Sequence, residues 1–309
     1  MKMKLKLTII FILIVTLLSA PASAEEADAP AFHLAAPNGA PALAVAALAA
    51  ENPGCCSFVA ADTIAAEFAN ETADFVIAPV NAGARLYNAG KSGYRLAAVV
   101  SWGNLYFASQ REGFRAEDMN GAEVVLFGEN TINASVALYA LEKNGIVPAD
   151  VEYLAGAANT QALLLSDEEA IVLTAEPALT AAMIKNERIS ACAVNELYEK
   201  ASGYTGFAQA GLFVRAETLK KNEESVKVWL EEIKEAADKC TDDTDAAAEA
   251  AVALEILPNV KVAKSALPNC AIHFVYAAEA RERVEQTAGI DLSQFGGALP
   301  ADDFYYEAK

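Results

Sequence analysis

Histidine is scarce in this chain, with two in 309 residues, and the five cysteines are an odd number. So few nitrogen and sulfur ligands argue against a dedicated transition-metal site. Five cysteines cannot make a fully paired disulfide scaffold either. Basic residues are also short: 23 Lys and Arg against 42 Asp and Glu leave a formal charge of −19. A chain this acidic repels a phosphate backbone, which argues against nucleic acid as a partner. The GxSxG, P-loop, GxGxxG and HExxH patterns are missing, and no pair of carboxylates stands out as an acid and a base. His33 and His273 have no Asp or Ser neighbour at a catalytic spacing and read as structural. The expectation is a protein that is not an enzyme and carries no cofactor and no metal.

What is present is apolar material. Hydrophobic residues make up 54% of the chain, charged residues only 21%, and the mean hydropathy is +0.22. That excludes wholesale disorder, and the length suggests about two domains. The chain opens with Lys2, Lys4 and Lys6, an apolar run over residues 7–18, and Ala22-Ser23-Ala24. This is the layout of a secretory signal peptide, residues 1–24, with cleavage expected before Glu25. The apolar run is shorter than the ~20 residues a helix needs to span a bilayer, and no cysteine follows it as a lipid attachment point. Cleavage would remove the three lysines and take the charge from −19 to about −22. An exported, soluble protein is expected, periplasmic or secreted.

The rest alternates short β-type runs with helical ones. Residues 31–36 (AFHLAA) lead into Pro37-Asn38-Gly39-Ala40 and a helix opening with Pro41 at its first position. Residues 75–78 (FVIA) lead into Pro79-Val80-Asn81 and a helix to Asn88. Residues 123–127 (EVVLF) lead into Gly128 to Thr131 and a helix to Lys143, and residues 170–174 (AIVLT) into Ala175-Glu176-Pro177 and a helix to about Lys185. A further strand is expected at 151–154. Such alternation implies parallel sheets with helical crossovers. Ligands of such sheets bind beyond the carboxyl ends of the strands, where helix starts present free N–H groups. Asn38, Asn81, Thr131 and Glu176 would share that edge, although Asn and Thr there also serve as plain helix caps.

Two extended segments could carry the chain between two sheets. Residues 94–109 (YRLAAVVSWGNLYFAS) are interrupted at Trp102-Gly103-Asn104, and residues 206–215 (GFAQAGLFVR) have similar character. Trp102 reads either as core with a partnered N–H, or as a ring stacked on a flat ligand beside Gly103. Tyr106, Tyr204 and Gln209 are further candidates near these crossings. Between 217 and 240, Val226, Leu230, Ile233, Ala237 and Cys240 recur at helical spacing. Among the cysteines, Cys240 with Cys270 is the preferred bridge. The adjacent Cys55 and Cys56 read as inert thiols, since neither a second pair nor a histidine stands at ligand spacing.

Residues 36–43 (APNGAPAL), 73–86 (ADFVIAPVNAGARL), 94–109, 128–131, Glu176-Pro177 and 296–306 (GGALPADDFYY) together resemble the substrate-binding component of an ABC importer. The resemblance is to the family that binds thiamine-pyrimidine precursors, aliphatic sulfonates, taurine or nitrate, and it runs from about Ala31 to the end. It implies a type II periplasmic-binding-protein fold, two α/β lobes joined by two hinge strands and closing on a solute. The first lobe would comprise residues 25–105, the second 106–207, with 208–309 returning to the first. Asn38, Gly39, Asn81, Trp102, Gly103, Thr131 and Glu176 would then meet the ligand. A membrane permease is the implied partner, and a monomer is expected. No Arg or Lys is found in the site loops, so Trp102, Asn81 and Glu176 point to a planar, pyrimidine-like solute. Two alternatives remain: a solute-sensing domain, and an iron-dependent pyrimidine-precursor synthase on the same fold, to which Cys55-Cys56-Ser57-Phe58 bears a faint likeness.

Overall fold

The computed structural model describes residues 32–308; the signal peptide and its cleavage before Glu25 lie outside them. Among the described residues, eleven strands form two sheets. In chain order they are β1 (Leu34–Pro37), β2 (Cys56–Val59), β3 (Phe75–Pro79), β4 (Tyr94–Ser101), β5 (Leu105–Ser109), β6 (Glu123–Phe127), β7 (Asp150–Leu154), β8 (Ile171–Ala175), β9 (Ser190–Ala193), β10 (Ala210–Arg215) and β11 (Ile272–Tyr276). The first sheet has the order β11-β4-β10-β3-β1-β2 and the second β7-β6-β8-β5-β9. Among the described residues no helix is long and apolar enough to cross a membrane.

Both faces of the first sheet are buried, and the pleat sorts the side chains. Leu34, Ala36, Phe75, Ile77, Leu212 and Val214 enter one cluster with the helix Ala216–Asp242. Ala35, Val76, Ala78 and Phe213 enter the other. Successive residues of a strand point to opposite faces, so a continuous apolar run is what a sheet covered on both sides requires. The second cluster continues through Trp102 and Phe207 into Phe107, Leu126 and Leu173 of the second sheet. The two lobes therefore share a core across the crossings.

The sheets are mixed rather than parallel. β1 pairs in parallel with β2 and β3, and β6 with β7 and β8. However, β10 runs antiparallel to β3 and β4, and β5 antiparallel to β8 and β9. Helical crossovers enforce parallel pairing only between strands they connect. β5 and β10 arrive from the other sheet, so no crossover helix joins them directly to the strands they pair with, and they are free to run against those neighbours.

The chain passes between sheets at residues 102–104, and returns through the loop that follows the helix Val194–Ser202 to reach β10. Gly103 has φ +87, and a Cβ there would lie 2.5 Å from both Asn195 Oδ1 and the Phe207 ring. Glycine is required here by the packing of one crossing on the other. The helix Ala216–Asp242 buries the residues its spacing predicts, but its path is broken at Asn222, where φ and ψ are −139 and 37. All five cysteines are free, so the expected Cys240–Cys270 bridge is corrected. Both thiols are buried among apolar side chains and act as small hydrophobes. Burial pushes Cys240 up to about 12, and its Sγ donates to Leu43 O at 3.4 Å.

Candidate functional site

A cavity of about 450 Å³ lies between the two sheets, at the ends of β1, β3, β6 and β8. Asn38, Gly39, Asn81, Thr131 and Glu176 all line it. Loops distant in sequence meet because each follows a strand of one of two facing sheets. Trp102 and Gly103 do not line it. Trp102 is 4% exposed and its Nε1 donates to His273 O at 2.8 Å. The Arg283 guanidinium occupies its ring face, with Cζ 3.5 Å from the ring centroid. The ring is thus buried, with its N–H partnered and the cation over it.

Each of the five has a local reason for its place. Gly39, with φ +105, turns the chain from β1 into the helix Ala40–Leu43, while Asn38 N donates to Val59 O at 2.9 Å. Asn38 itself remains exposed. Thr131 caps the helix Ile132–Lys143, accepting from Ala134 N at 3.4 Å and donating to Gly128 O at 2.6 Å. Its hydroxyl is thus largely spent on structure.

Asn81 is different. It lies in the first turn of the helix Val80–Asn88, is 8% exposed, and its buried Oδ1 has no hydrogen-bond partner among the described residues. Buried polar atoms are nearly always paired, and leaving one unpaired costs about 1–3 kcal/mol. A ligand N–H or O–H would satisfy it.

Glu176 is 3% exposed and spends both carboxylate oxygens on Thr180. Oε2 accepts from Thr180 N at 3.1 Å and Oε1 from Thr180 Oγ1 at 2.7 Å, which caps the helix Ala178–Lys185. Burial raises its pKa above the ordinary carboxyl value, against the lowering effect of the Thr180 bonds. Folding therefore favours the protonated form. Stability from this group is full below the unfolded pKa of about 4.3 and is lost as pH rises through the higher folded value. A Glu176→Gln variant, neutral throughout, should gain stability on the wild type between about pH 4 and about pH 7. Urea unfolding at both pH values measures this, and a constant gap would remove burial as the cause.

The sequence reading missed several lining residues. Arg85 is exposed at the cavity and has no ion pair or hydrogen bond from its side chain among the described residues. It stands four positions after Asn81 on the same helix, a spacing that puts both on one face. That spacing was the available signal: the site loops hold no Arg or Lys, and the cation comes from the helix instead. Among the described residues, Arg85 and Glu176 are the ionisable side chains lining the cavity, and of these two only Arg85 has its charge uncommitted.

Gln209, at the second crossing, joins the two lobes. Its Oε1 accepts from Ser101 Oγ at 3.2 Å and Asn104 N at 3.3 Å, and its Nε2 donates to Asn133 Oδ1 at 3.2 Å. Asn104 Nδ2 in turn donates to Glu176 O at 2.8 Å. Phe127 supplies an aromatic ring. Tyr106 and Tyr204 lie elsewhere: the first donates to Asn269 O at 3.0 Å, and the second bonds Glu282.

The helices Val80–Asn88 and Ala157–Ser166 begin at the cavity without a side-chain cap. Val80 N is taken by Gln209 O at 3.0 Å. The other first-turn N–H groups add partial positive charge near the cavity. Chemically the site can hold a small solute with an anionic end for Arg85 and a donor for Asn81, its apolar part against Phe127, Ile132 and Pro79.

No family model matches the chain, and no curated protein does. Solved structures do. An ABC transporter from Parabacteroides distasonis superposes with a TM-score of 0.76 at 20% identity, over 90% of this chain and 99% of that one. The periplasmic aliphatic sulphonate binding protein SsuA from Escherichia coli gives 0.68 at 13% identity, over 89% and 92%. The zinc-bound ligand-binding component of an ABC-type import system from Staphylococcus aureus gives 0.66 at 11%, over 89% and 96%. The fold is that of the periplasmic binding proteins, two α/β lobes around a cleft.

Proposed function

We propose that this chain is the extracytoplasmic solute-binding component of an ABC importer, which captures a small anion between its lobes and delivers it to a membrane permease. The observation that carries this is the pairing of Arg85, whose charge is uncommitted, with the orphaned Oδ1 of Asn81 in one interlobe cavity. The sulphonate binding and import functions named for the structural neighbours support the same reading. The pyrimidine-like solute loses its main argument with Trp102, whose ring does not line the cavity and is covered by Arg283. Among the solute classes implied by the resemblance, the sulfonate and nitrate class fits a guanidinium better.

The protein acts without altering its solute. It works in the periplasm or outside the cell, as a monomer between docking events. The synthase alternative would need cysteine chemistry at the site, and Cys55 and Cys56 are not among the residues that line the cavity.

Calorimetry and thermal shift of the mature chain against taurine, short alkanesulfonates, nitrate and uncharged aminopyrimidines test the reading. Ligand at a hundredfold excess over its dissociation constant should add about 2.7 kcal/mol of stability. Stabilisation by anions alone is the expected pattern. Tight binding of uncharged pyrimidines with none of the anions would overturn it.

A further inference from the structure

Cys55 and Cys56 lie outside the interlobe cavity, at the start of β2, an edge strand of the first sheet that pairs, among the described residues, only with β1. In a regular strand adjacent side chains point to opposite faces. Here they converge: Cys55 sits in a bend after the exposed Asn52-Pro53-Gly54 turn, and the two Sγ atoms are 3.4 Å apart. Both residues are half-buried and pack against the apolar cluster of the first sheet, rather than being enclosed by it.

Closing the pair into a disulfide is unfavourable. Adjacent Cα atoms stand ~3.8 Å apart across a trans peptide, below the usual disulfide range of about 4.4–6.8 Å. A bridging ion relieves that constraint. Bonds from thiolates to soft ions run to about 2.3 Å, so sulfurs 3.4 Å apart subtend about 95° at the ion. A linear two-coordinate ion would need ~4.6 Å between them. Four-coordinate zinc needs further ligands, and among the described residues no cluster of three His, Cys, Asp or Glu side chains could hold a metal. An angle near a right angle with two thiolates suits a pyramidal trivalent centre that keeps a third, oxygen ligand.

We propose that Cys55 and Cys56 form a chelating site for a thiophilic trivalent metalloid hydroxide of the arsenite type. Two As–S bonds form and two As–O bonds break. The two thiol protons leave with two hydroxides as water, the third hydroxide stays on arsenic, and no electrons are exchanged. The remaining thiols contribute nothing: Cys240 and Cys270 are fully buried, and Cys192 lies in β9 of the second sheet.

The test uses the full-length reduced protein with arsenite as the probe. The triple variant C192S/C240S/C270S should bind one arsenic per chain as the wild type does. Cys55→Ser and Cys56→Ser should each weaken binding by about 100-fold or more, the usual gain from a second tethered ligand. In the wild type, arsenite should also protect the peptide carrying both cysteines from alkylation by iodoacetamide, a readout that needs no variant to fold. Binding that survives either single substitution, or alkylation of the pair unaffected by arsenite, would overturn the proposal.

Discussion

Replacing Trp102 with alanine is expected to cost about 3–5 kcal/mol of folding stability, the range for truncating a large buried aromatic. The ring is 4% exposed and belongs to the cluster that runs from the first sheet into the second. Its loss opens a cavity where the lobes join. It also removes the donor to His273 O and leaves the Arg283 guanidinium, already half-desolvated, without its ring face. Arg283 Nη2 bonds Gly206 O at 3.1 Å, and Asn195 Nδ2 holds the Trp102 and Gly103 carbonyls at 2.9 and 2.8 Å. The first crossing, the second crossing and the helix Ala277–Ile290 are thus tied at one point, so the damage should be cooperative. Urea unfolding measures the loss. A Trp102→Phe variant, which keeps a ring for the cation, should lose about 1–3 kcal/mol through the missing N–H. The solute dissociation constant of the folded variants should stay close to that of the wild type. A stacking role would instead remove about 1–3 kcal/mol of binding, and calorimetry on Trp102→Phe and Trp102→Ala separates the two.

That tryptophan also marks where sequence reasoning stops. A Trp-Gly step between two apolar runs suits a hinge core and a ligand platform equally, because both need a large ring beside a glycine. What decides is Arg283, 181 positions downstream. Local signals fared better. The run 123–127 became β6 residue for residue, and the helix after it ends at Lys143 as its Asn-Gly stop implies. Long apolar runs were legible because both faces of these strands are covered. β2 and β9 were not foreseen: each has four residues, is half-buried, and stands at a sheet edge where no apolar run is required. Antiparallel pairing of β5 and β10 was equally hidden, since direction depends on which lobe a strand comes from. Five of seven proposed ligand contacts line one cavity because they follow strands, a rule of the fold. Arg85 was not legible from the loops, because the helix Val80–Asn88 carries its second turn into the site.

Arg85→Ala should weaken binding of an anionic solute by about 10- to 150-fold, the loss of roughly 1.5–3 kcal/mol in a hydrogen bond to a charged group. The effect should fall on binding alone. Arg85 is exposed and makes no ion pair among the described residues, so the melting temperature of the unliganded protein should barely move. Arg85→Lys keeps a positive charge but loses the planar fork, and should recover part of the affinity. Arg85→Glu should abolish it, adding repulsion to a chain that already carries −19. Ionic strength gives an independent check: raising salt screens a partly exposed charge pair, so wild-type affinity should fall while that of Arg85→Ala stays flat. Asn81→Ala separates the two ends of the solute. It removes an acceptor that folding leaves unsatisfied, so it should not destabilise the empty protein, yet it should weaken solutes bearing an N–H or O–H more than nitrate, which has none. Equal losses for nitrate and for a donor-bearing sulfonate such as taurine would mean that Asn81 does not face the solute, and Arg85 would then be the sole anchor of the site.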